Sequence, residues 1–521
     1  MTFDITKMLS AEVYDHPVSA LQLLETHISW VVLTGKYAYK IKKPVNFGFL
    51  DFSTLEQRRH FCEQEIVLNR RLTSGIYLAA VAISVQQDRL KLGDNNIVEY
   101  AVKMTQFAQS ALFDQMLAAG QLQSFHMDAL ARRIAQFHQQ AERADDSMPF
   151  GRADDVHQPV LENFRHIAEQ LEGDLYNDRL SKLQNWCQTE FFRLKATLER
   201  RKRDGFIRSC HGDMHLGNLI WIDDIQQQNP TAVPMAFDCI EFNQQLRWID
   251  VISEIAFLVM DLQHRGQAPL VHRLLNTYLE ISGDYAGLSL LPYYLSYRAL
   301  VRAKVNALRL GQSGIDATQR QAILDEFESY LDLALTYTRR AAPRLIIMQG
   351  VSASGKSTVS QQLVDQLGAI RLRSDIERKR LLNISCQLPA ASAVGSGLYT
   401  EMRSELTYAK LQELSARVLA AGYSVIVDAA FLKQPQRIQF MHLAEKMGIA
   451  YVILQITAPA EVLRQRIVAR EAGPSDANLD VLEQQLAHWQ GLDDTEMQWA
   501  ITLDTTQALD LAALIRQIQQ R

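Results

Sequence analysis

The sequence contains two sets of residues whose types and spacing suit the transfer of a phosphoryl group. The first is the segment Gly350–Thr358, which fits the pattern G-x-x-x-x-G-K-[ST] and follows a short apolar stretch. Its glycines let the backbone fold tightly around a phosphate, and the helix expected next adds its positive N-terminal end. We predict that Lys356 reaches the β- and γ-phosphates of a nucleotide and that Ser357 holds Mg²⁺. The alternative is a Gly/Ser-rich turn without a ligand. The residues predicted to bind phosphates are Gly350, Ser352, Ala353, Ser354, Gly355, Lys356, Ser357 and Thr358.

Two acidic side chains follow in the same region, each close to the end of an apolar segment. Asp375, in the run Leu372–Arg378, is placed to accept a proton from a substrate hydroxyl. Arg378, one helical turn further on, could contact a substrate or a phosphate. Asp428 ends the apolar run 424–428, where an acidic side chain suits a contact with Mg²⁺ or water. The alternatives are an N-cap role for Asp375 and an ordinary strand end for Asp428.

Two arginines extend this set. Arg466 and Arg470 are four residues apart on a predicted helix, so they share a face. We predict that they belong to a closing lid and stabilise charge on the transferring phosphoryl group. The alternative is a basic helix face that only contacts solvent.

The second set lies in the segment Ser209–Asn218, which contains H-x-D-x-x-x-x-N. The catalytic loop of protein kinases has this spacing, because phosphoryl transfer needs a carboxylate beside the acceptor hydroxyl and an amide oxygen on Mg²⁺ nearby. We predict Asp213 as the catalytic base and Asn218 as a metal ligand. Asp238, at the end of the next predicted strand, is the second predicted metal ligand, although Cys239-Ile240 follows it instead of Phe-Gly. The alternative is a metal or capping cluster without transfer chemistry.

A nucleotide site of this kind also needs a lysine for the phosphates and a helical glutamate that pairs with the lysine. Lys40 and Lys42 lie on one face of a predicted strand, and we favour Lys40. Glu65 and Glu63 compete for the second role, and we favour Glu65. The alternative for all of them is surface ion pairing. Asp250 is predicted either to brace the catalytic loop or to cap a helix.

Hydrophobic periodicity predicts the elements that must place these residues. Two strands joined at Thr34-Gly35 are predicted in 28–41, and a helix in 54–72. Further strands are predicted at 97–107, 206–210, 218–222 and 233–237, and mainly helices over 111–203 and 248–338. Beyond residue 340, strands and helices alternate at 344–349, 357–367, 405–421, 424–428, 433–447, 450–456 and 460–471, which predicts a parallel sheet covered by helices. We therefore expect one domain over 1–340 and another over 341–521.

Bulk properties narrow the choice of partners. A chain of 521 residues exceeds a single core, and its net charge of -5 gives no general basic field for nucleic acid or an acidic membrane. A nucleic-acid acceptor stays open because net charge does not exclude a local basic groove. The apolar run Ile252–Leu262 is interrupted by Ser253, Glu254 and Asp261, so we expect a buried helix and no membrane span. The five scattered cysteines form no CxxC pair and the N-terminus has no signal-peptide pattern, so we expect a cytoplasmic protein.

These motifs carry two family resemblances. The segment 344–521 resembles small P-loop kinases that phosphorylate hydroxyls, such as polynucleotide 5′-hydroxyl, zeta-toxin-like, gluconate and chloramphenicol kinases, and this resemblance implies that Asp375 activates the hydroxyl. The run HGDMHLGN resembles aminoglycoside phosphotransferases and their choline, homoserine and fructosamine kinase relatives, over about residues 25–335. As a whole the chain resembles bacterial bifunctional fusions of an aminoglycoside phosphotransferase-like domain with a P-loop, AAA-family ATP-binding kinase domain.

The resemblance implies a mixed α/β protein: an α+β kinase-like domain followed by an α/β P-loop domain with a parallel sheet. It implies two kinase sites that use ATP and Mg²⁺ and a small-molecule hydroxyl acceptor. Two departures stand out: there is no G-x-G-x-x-G loop, only Gly35, and no long activation loop follows Asp238. Two alternatives stay open, a P-loop ATPase that acts as a switch and a single P-loop kinase with a catalytically weak kinase-like regulatory domain.

Overall fold

The chain leaves its first structural unit after residue 264, returns to it at residue 293 and leaves it again after residue 334. The first unit comprises Met1–His264 and Tyr293–Ala334, and the second comprises Arg265–Pro292 and Leu335–Arg521. The computed structural model describes residues 3–48, 50–87, 89–171, 176–223, 232–311, 314–382, 384, 401–469 and 478–521.

The strands are β1 (Gln22–Glu25), β2 (Ser29–Leu33), β3 (Tyr37–Lys42), β4 (Tyr77–Gln86), β5 (Arg89–Leu92), β6 (Ile97–Thr105), β7 (Ile207–Ser209), β8 (Leu219–Asp223), β9 (Ala232–Ala236), β10 (Trp248–Asp250), β11 (Arg344–Gln349), β12 (Ile370–Arg373), β13 (Val425–Asp428), β14 (Ala450–Thr457) and β15 (Ala500–Asp504). The α-helices are α1 (Leu55–Asn69), α2 (Phe113–Ala118), α3 (Ser124–Gln140), α4 (Ala153–Gln170), α5 (Asn177–Arg203), α6 (Gln244–Arg247), α7 (Val251–His264), α8 (Ala268–Ser282), α9 (Leu291–Leu310), α10 (Ala317–Thr336), α11 (Lys356–Leu367), α12 (Ser374–Leu381), α13 (Glu401–Ala420), α14 (Gln434–Met447), α15 (Ala460–Val468), α16 (Leu479–Ala487), α17 (Asp494–Met497) and α18 (Leu511–Gln520).

The first unit begins with a six-stranded antiparallel sheet in the order β1-β2-β3-β6-β4-β5. Helix α1 contacts β4 and β6, and it starts in a capping box in which Thr54 and Gln57 satisfy each other's backbone N–H groups. Buried Val32, Tyr39 and Ile83 help to form an apolar core on this sheet. The strands therefore hold β3, which carries both candidate lysines, at the centre of the sheet.

The rest of the first unit is mainly helical, with two small antiparallel pairs that frame the predicted catalytic loop. Strand β7 pairs with β10, and β8 pairs with β9. The helices predicted over 111–203 are confirmed by α2 to α5. The prediction of helices from residue 248 onward is wrong in its first three residues, which form β10. Its partner β7 lies about 40 residues away in the chain, so local periodicity gave no signal for this pairing.

The second unit contains a five-stranded parallel sheet in the order β12-β13-β11-β14-β15. The central strand β11 is buried over residues 345–349, as expected for a strand covered on both faces. Helices α11 and α18 pack against it through Leu363, Val364, Leu514 and Ile518. This parallel sheet covered by helices, together with the antiparallel sheet and the helices of the first unit, confirms the predicted mixed α/β fold class.

The second unit also contains a segment from the middle of the sequence. Helix α8 packs against α11 and β12, and Asn276 and Glu280 hydrogen-bond to β12 residues. The prediction of one boundary at residue 340/341 assigned this segment to the first domain. Its contacts with the second unit had no local signal in the sequence, because its partners lie about 90 residues further along the chain. Among the described residues, no helix combines the length and the hydrophobicity that a bilayer crossing requires.

Candidate active sites

The predicted catalytic loop of the first unit connects β7 to β8, as expected. The side-chain amide of Asn218 donates to the Asp213 carboxylate Oδ2 at 3.1 Å and to the Asp213 carbonyl at 2.9 Å. Gly212 has a φ of +92°, and a Cβ there would lie 2.8 Å from the carbonyl oxygen of Leu246. The loop therefore needs glycine before Asp213, and it brings the predicted base and the predicted metal ligand into contact.

Three buried side chains that the sequence prediction did not assign form hydrogen bonds with the backbone of this loop. The carboxylate of Glu254 accepts from the backbone N–H groups of His211 and Gly212 at 2.6 and 2.8 Å. Asp261 accepts from the N–H of Leu216 at 2.9 Å, and Arg298 donates to the carbonyl of Gly212 at 3.3 Å. Glu254 and Asp261 are two of the charges that interrupt the apolar run of α7, and that interruption is the signal that could have identified them.

The charge of the loop is set by two histidines and by Glu254. Burial opposes ionisation of Asp213, but the neighbouring His215, at 3.5 Å, and His211 hold the pKa of the Asp213 carboxyl well below its usual range. Burial lowers the pKa of His215, but the charge of Asp213 outweighs burial and raises it. Burial likewise opposes ionisation of Glu254, but its hydrogen bond to His138, at 2.7 Å, helps to lower its pKa to about 2. The Asp213 carboxyl is therefore ionised at neutral pH, its side chain is 39% exposed, and its role as the base stays a prediction.

Both candidate lysines contact the favoured glutamate. Glu65 accepts from Lys40 at 2.9 Å through one oxygen and from Lys42 at 2.7 Å through the other. Lys40 also pairs with Asp238, whereas Lys42 pairs with Glu241 and has only 1% of its side chain exposed. The predicted Lys40–Glu65 pairing is confirmed, and Lys40 is the lysine that lies beside the predicted metal ligand.

The other candidates, Glu63 and Asp250, make different contacts. Glu63 is half-exposed and pairs with Arg59 on the surface of α1. Asp250 accepts a fork of two hydrogen bonds from buried Arg201 at 2.7 and 2.8 Å, and it accepts from the N–H of Ile252 at the start of α7. Asp250 therefore joins α5 to the start of α7, and the loop is braced by Glu254 and Asp261 instead.

The donor set of the first unit suits a divalent cation. Asp238 has a φ of +63°, an unusual conformation for a non-glycine residue, and its N–H donates to the Tyr77 hydroxyl at 3.0 Å. Its carboxylate is 44% exposed. The amide nitrogen of Asn218 faces Asp213, so its amide oxygen is the atom that remains for a metal. One carboxylate and one amide oxygen are ligands that Mg²⁺ accepts.

The Gly350–Thr358 segment of the second unit connects β11 to α11, as predicted. Ala353 has a φ of +63° and Gly355 one of +99°, and such left-handed residues turn successive N–H groups toward a common centre. Lys356 opens α11, and its ammonium donates to the carbonyl of Val351 at 2.8 Å. These features are those of an anion-binding loop at a helix N-terminus.

A cleft of about 1560 Å³ in the second unit contains the other predicted residues. Its walls include Ser352, Lys356, Ser357, Asp375, Arg378 and Asp428. Helix α12 begins after the N-cap residue Arg373, and the Asp375 carboxylate accepts from Arg378 at 3.0 Å. The alternative N-cap role of Asp375 is therefore wrong. Asp428 is buried at the end of β13, where it accepts from the Ser360 hydroxyl at 3.2 Å.

Of the two predicted lid arginines, the structure describes only Arg466. Arg466 donates to the Thr505 hydroxyl at 2.8 Å, to the Thr505 carbonyl at 3.0 Å and to the carbonyl of Ala353 at 3.3 Å. The Thr505 hydroxyl in turn donates to the carbonyl of Ser354 at 2.8 Å. Arg466 thus holds the outer side of the phosphate loop, and a contact with a phosphoryl group stays a prediction. Arg470 lies outside the described residues.

Comparison with protein families supports the assignment of the second unit. The family model described as an AAA domain matches residues 345–492. This range includes the phosphate loop together with Asp375, Asp428 and Arg466, so it agrees with the P-loop domain that the sequence predicted.

Relatives extend over most of the chain. Uncharacterized proteins of Mycobacterium bovis and Mycobacterium tuberculosis are 29% identical over 469 residues, which cover 89% of this chain and 90% of theirs. A sugar kinase of Janibacter sp. covers 34% of this chain and 93% of its own at 24% identity, with a TM-score of 0.26. An amicoumacin kinase in complex with AMP-PNP covers 62% of this chain and 91% of its own at 13% identity, with a TM-score of 0.38. A choline/ethanolamine kinase family protein of Mesorhizobium loti covers 62% and 94%, at 10% identity and a TM-score of 0.37.

Proposed function

We propose that this protein is a phosphotransferase with two sites, each of which transfers the γ-phosphate of ATP to a hydroxyl group of a small molecule. The observation that carries the proposal is the pairing of an acidic side chain with a candidate phosphate site in each unit. Asp375 lines the same cleft as Lys356, and Asp213 is in contact with Asn218 on the loop between β7 and β8. A nucleotide switch would need the phosphate loop but would not need Asp375 or Asp213.

In the first unit, Asp213 accepts the proton of the acceptor hydroxyl while the hydroxyl oxygen attacks the γ-phosphorus. The bond between the γ-phosphorus and the bridging oxygen breaks, and ADP leaves. Lys40, oriented by Glu65, contacts the phosphate oxygens. Asn218 and Asp238 would hold Mg²⁺, which supplies positive charge to the phosphate oxygens when it is bound.

In the second unit, the N–H groups of the phosphate loop and Lys356 bind the β- and γ-phosphates. Asp375 accepts the proton of the acceptor hydroxyl, and Arg378 both orients the Asp375 carboxylate and faces the same cleft. Ser357 and Asp428 would hold Mg²⁺ or its bound water. The cleft exceeds the range of about 300–1000 Å³ that is usual for a single small ligand, so a nucleotide and an acceptor could bind side by side.

Two features bear on the acceptor and the compartment. The net charge of -5 supplies no general attraction for nucleic acid, which favours a small-molecule acceptor. Four cysteines that the structure describes, Cys62, Cys187, Cys210 and Cys239, are buried as free thiols, which suits a reducing cytoplasm.

The test is turnover of γ-labelled ATP by the full chain with a pooled metabolite extract as the acceptor source. The variants are Lys356→Ala, Asp375→Asn and Asp213→Asn, and the matched control is Glu445→Gln on the exposed side of α14. Two active sites predict that Asp213→Asn and Asp375→Asn each remove part of the extract-dependent turnover and that the double variant removes all of it. Mass spectrometry of the labelled products then identifies the acceptors.

Two other outcomes would replace the proposal. If turnover ignores the extract and disappears only in Lys356→Ala, the protein is a P-loop ATPase switch. If extract-dependent turnover persists in Asp213→Asn and disappears in Asp375→Asn, the first unit is a regulatory domain. Normal transfer by both aspartate variants would show that the bases are wrongly assigned.

A further inference from the structure

Helix α8 presents a stripe of polar side chains to the edge strand of the parallel sheet. His272, Asn276 and Glu280 are spaced by four residues, so they follow one another along a single face of the helix. Asn276 is 3% and Glu280 is 9% exposed. Buried polar side chains in a row are costly unless each has a partner, and here the partners lie in α11, just before β12 and within β12.

Asn276 covers the open edge of β12. Its side-chain oxygen accepts from the N–H of Arg371 at 2.7 Å, and its side-chain nitrogen donates to the carbonyl of Ala369 at 3.0 Å. An edge strand exposes a row of such unpaired groups, and an asparagine amide offers both a donor and an acceptor. His272 extends the stripe with a hydrogen bond to the carbonyl of Asp365 at 2.9 Å. The helix therefore fixes the position of β12 as a neighbouring strand would.

Glu280 forms ion pairs with two arginines of the same strand. Its carboxylate accepts two hydrogen bonds from buried Arg371, at 2.9 and 3.0 Å, and lies 3.6 Å from Arg373. Arg371 also lies 3.5 Å from the Ser360 hydroxyl, which donates to Asp428 at 3.2 Å. A chain of polar contacts therefore leads from α8 through β12 to the acidic residue at the end of β13.

The residues after β12 are held by the same segment. The Tyr285 hydroxyl donates to Glu377 of α12 at 3.2 Å, and Arg380 of α12 donates to the carbonyl of Glu280 at 2.6 Å. Tyr285 and Glu377 are each 1% exposed. Both ends of the β12–α12 junction, which places Asp375, are thus tied to the segment 265–292.

We propose that Asn276 and Glu280 are positioning residues for phosphoryl transfer in the second unit. They hold the β12–α12 junction so that Asp375 and Asp428 keep their places in the cleft. This inference rests on the proposed function of that unit, and neither residue touches a substrate.

The test compares Glu280→Gln and Asn276→Asp in the full chain carrying Asp213→Asn, with Glu445→Gln as the control. Three quantities are measured: hydrogen exchange of the amides in 374–381 and in 356–367, the dissociation constant of Mg·AMP-PNP, and the rate of Mg·ATP turnover with the pooled metabolite extract as the acceptor source. We expect exchange in 374–381 to rise about 10-fold or more while exchange in 356–367 stays near that of the parent. We expect kcat to fall by about 10-fold or more, because small displacements of a catalytic group reduce rates strongly, with the dissociation constant changed by less than about 2-fold.

Each other outcome has a defined meaning. A purely structural role would raise exchange throughout the unit and leave kcat per folded molecule unchanged, and this would overturn the proposal. Unchanged exchange in 374–381 in a folded variant would overturn it as well. Asn276→Asp keeps the acceptor for Arg371, so it decides the matter if Glu280→Gln does not fold. If the parent shows no turnover, the proposed function of the unit fails, whereas the local exchange still decides whether these residues position α12.

Discussion

Lys40 and Lys42 share one carboxylate, but their other contacts give them different tasks. Lys40 joins Glu65 to Asp238, whose carboxylate is 44% exposed and can meet a ligand. Lys42 joins Glu65 to Glu241, and all three of these side chains are almost completely buried. Removal of Lys42 would leave two buried carboxylates with one fewer cation, whereas removal of Lys40 would take away the group that we propose contacts the nucleotide phosphates.

We therefore expect Lys40→Met and Lys42→Met to fail in different ways when the second site is silenced by Lys356→Ala. Lys40→Met should weaken binding of Mg·AMP-PNP by about 10-fold or more, since a charge-assisted phosphate contact is lost. Lys42→Met should lower the free energy of unfolding by about 3–5 kcal/mol, the usual cost of breaking a buried ion pair. Isothermal titration and urea unfolding measure the two effects. Lys182→Met, which breaks only an exposed pair with Asp178, should change neither.

The pH dependence of the first site should depend on His215. Burial opposes ionisation of Asp213, but His215 and His211 hold its pKa well below the usual range, so the base stays ionised through the mildly acid range. In His215→Gln the pKa of Asp213 rises, and the acid limb of kcat/KM should move to higher pH. Profiles from about pH 4 to about pH 9 in the Lys356→Ala protein measure this shift. An unmoved acid limb would show that Asp213 is not the titrating base, and exposed His60→Gln is the control.

The Asp213–His215 pair also predicts how the free energy of unfolding depends on pH. Here the relevant pKa is that of His215, which is raised, whereas that of Asp213 is lowered. Asp213 raises the pKa of His215 against the lowering effect of burial. The stabilisation from protonated His215 is complete below the pKa of an unfolded histidine, about 6.5, and is lost as pH rises through the raised pKa. The difference in unfolding free energy between wild type and His215→Gln should therefore be largest below about pH 6.5 and decrease above it. A difference that grows with pH would contradict the pairing.

At the scale of elements, helix α8 belongs to the fold of the second unit. Without it, buried Arg371 would lose the carboxylate of Glu280, and the edge of β12 would lose the amide of Asn276. We expect the fragment 341–521 to lack a cooperative urea transition, whereas residues 265–292 joined by a short flexible linker to 335–521 should unfold cooperatively. Near-ultraviolet circular dichroism during urea titration checks this. Cooperative unfolding of both fragments at one midpoint would show that α8 adds little to the unit.

The contacts of this helix are an example of what could not be predicted from the sequence. Helix α1, strand β6 and the alternating elements after residue 343 follow from local periodicity and caps, and the structure agrees with them to within a few residues. The strands β1, β4, β5, β12 and β15 and the helices α16 to α18 were not predicted. The polar stripe of α8 has no local signature, because the residues that satisfy it lie about 90 positions away. Pattern and spacing find a motif such as His211–Asn218, but they do not find the distant side chains, such as Glu254, that hold it.

At the scale of the whole molecule, the two candidate nucleotide sites belong to different units, although the chain passes from one unit to the other three times. Asp213 and Lys40 lie in the first unit, and Lys356 and Asp375 in the second. Under the two-site proposal each unit is stabilised by its own nucleotide, because a ligand that binds only the folded state raises the free energy of unfolding. The increase is about 2.7 kcal/mol at a ligand concentration of 100 times the dissociation constant.

We expect Mg·AMP-PNP to slow hydrogen exchange in both units of the wild type, with the amides of 356–367 reporting the second unit and those of 97–105 reporting the first. Lys356→Ala should abolish the protection of 356–367 and keep that of 97–105, and Lys40→Met should do the reverse. Omission of Mg²⁺ should weaken both effects, because Asn218, Asp238, Ser357 and Asp428 are then without the cation that their oxygens suit. Protection confined to 356–367 in the wild type and in Lys40→Met would mean that the first unit does not bind nucleotide, and the two-site proposal would reduce to a single P-loop kinase. Loss of protection in both units from Lys356→Ala alone would mean that occupancy of the second site is required for the first.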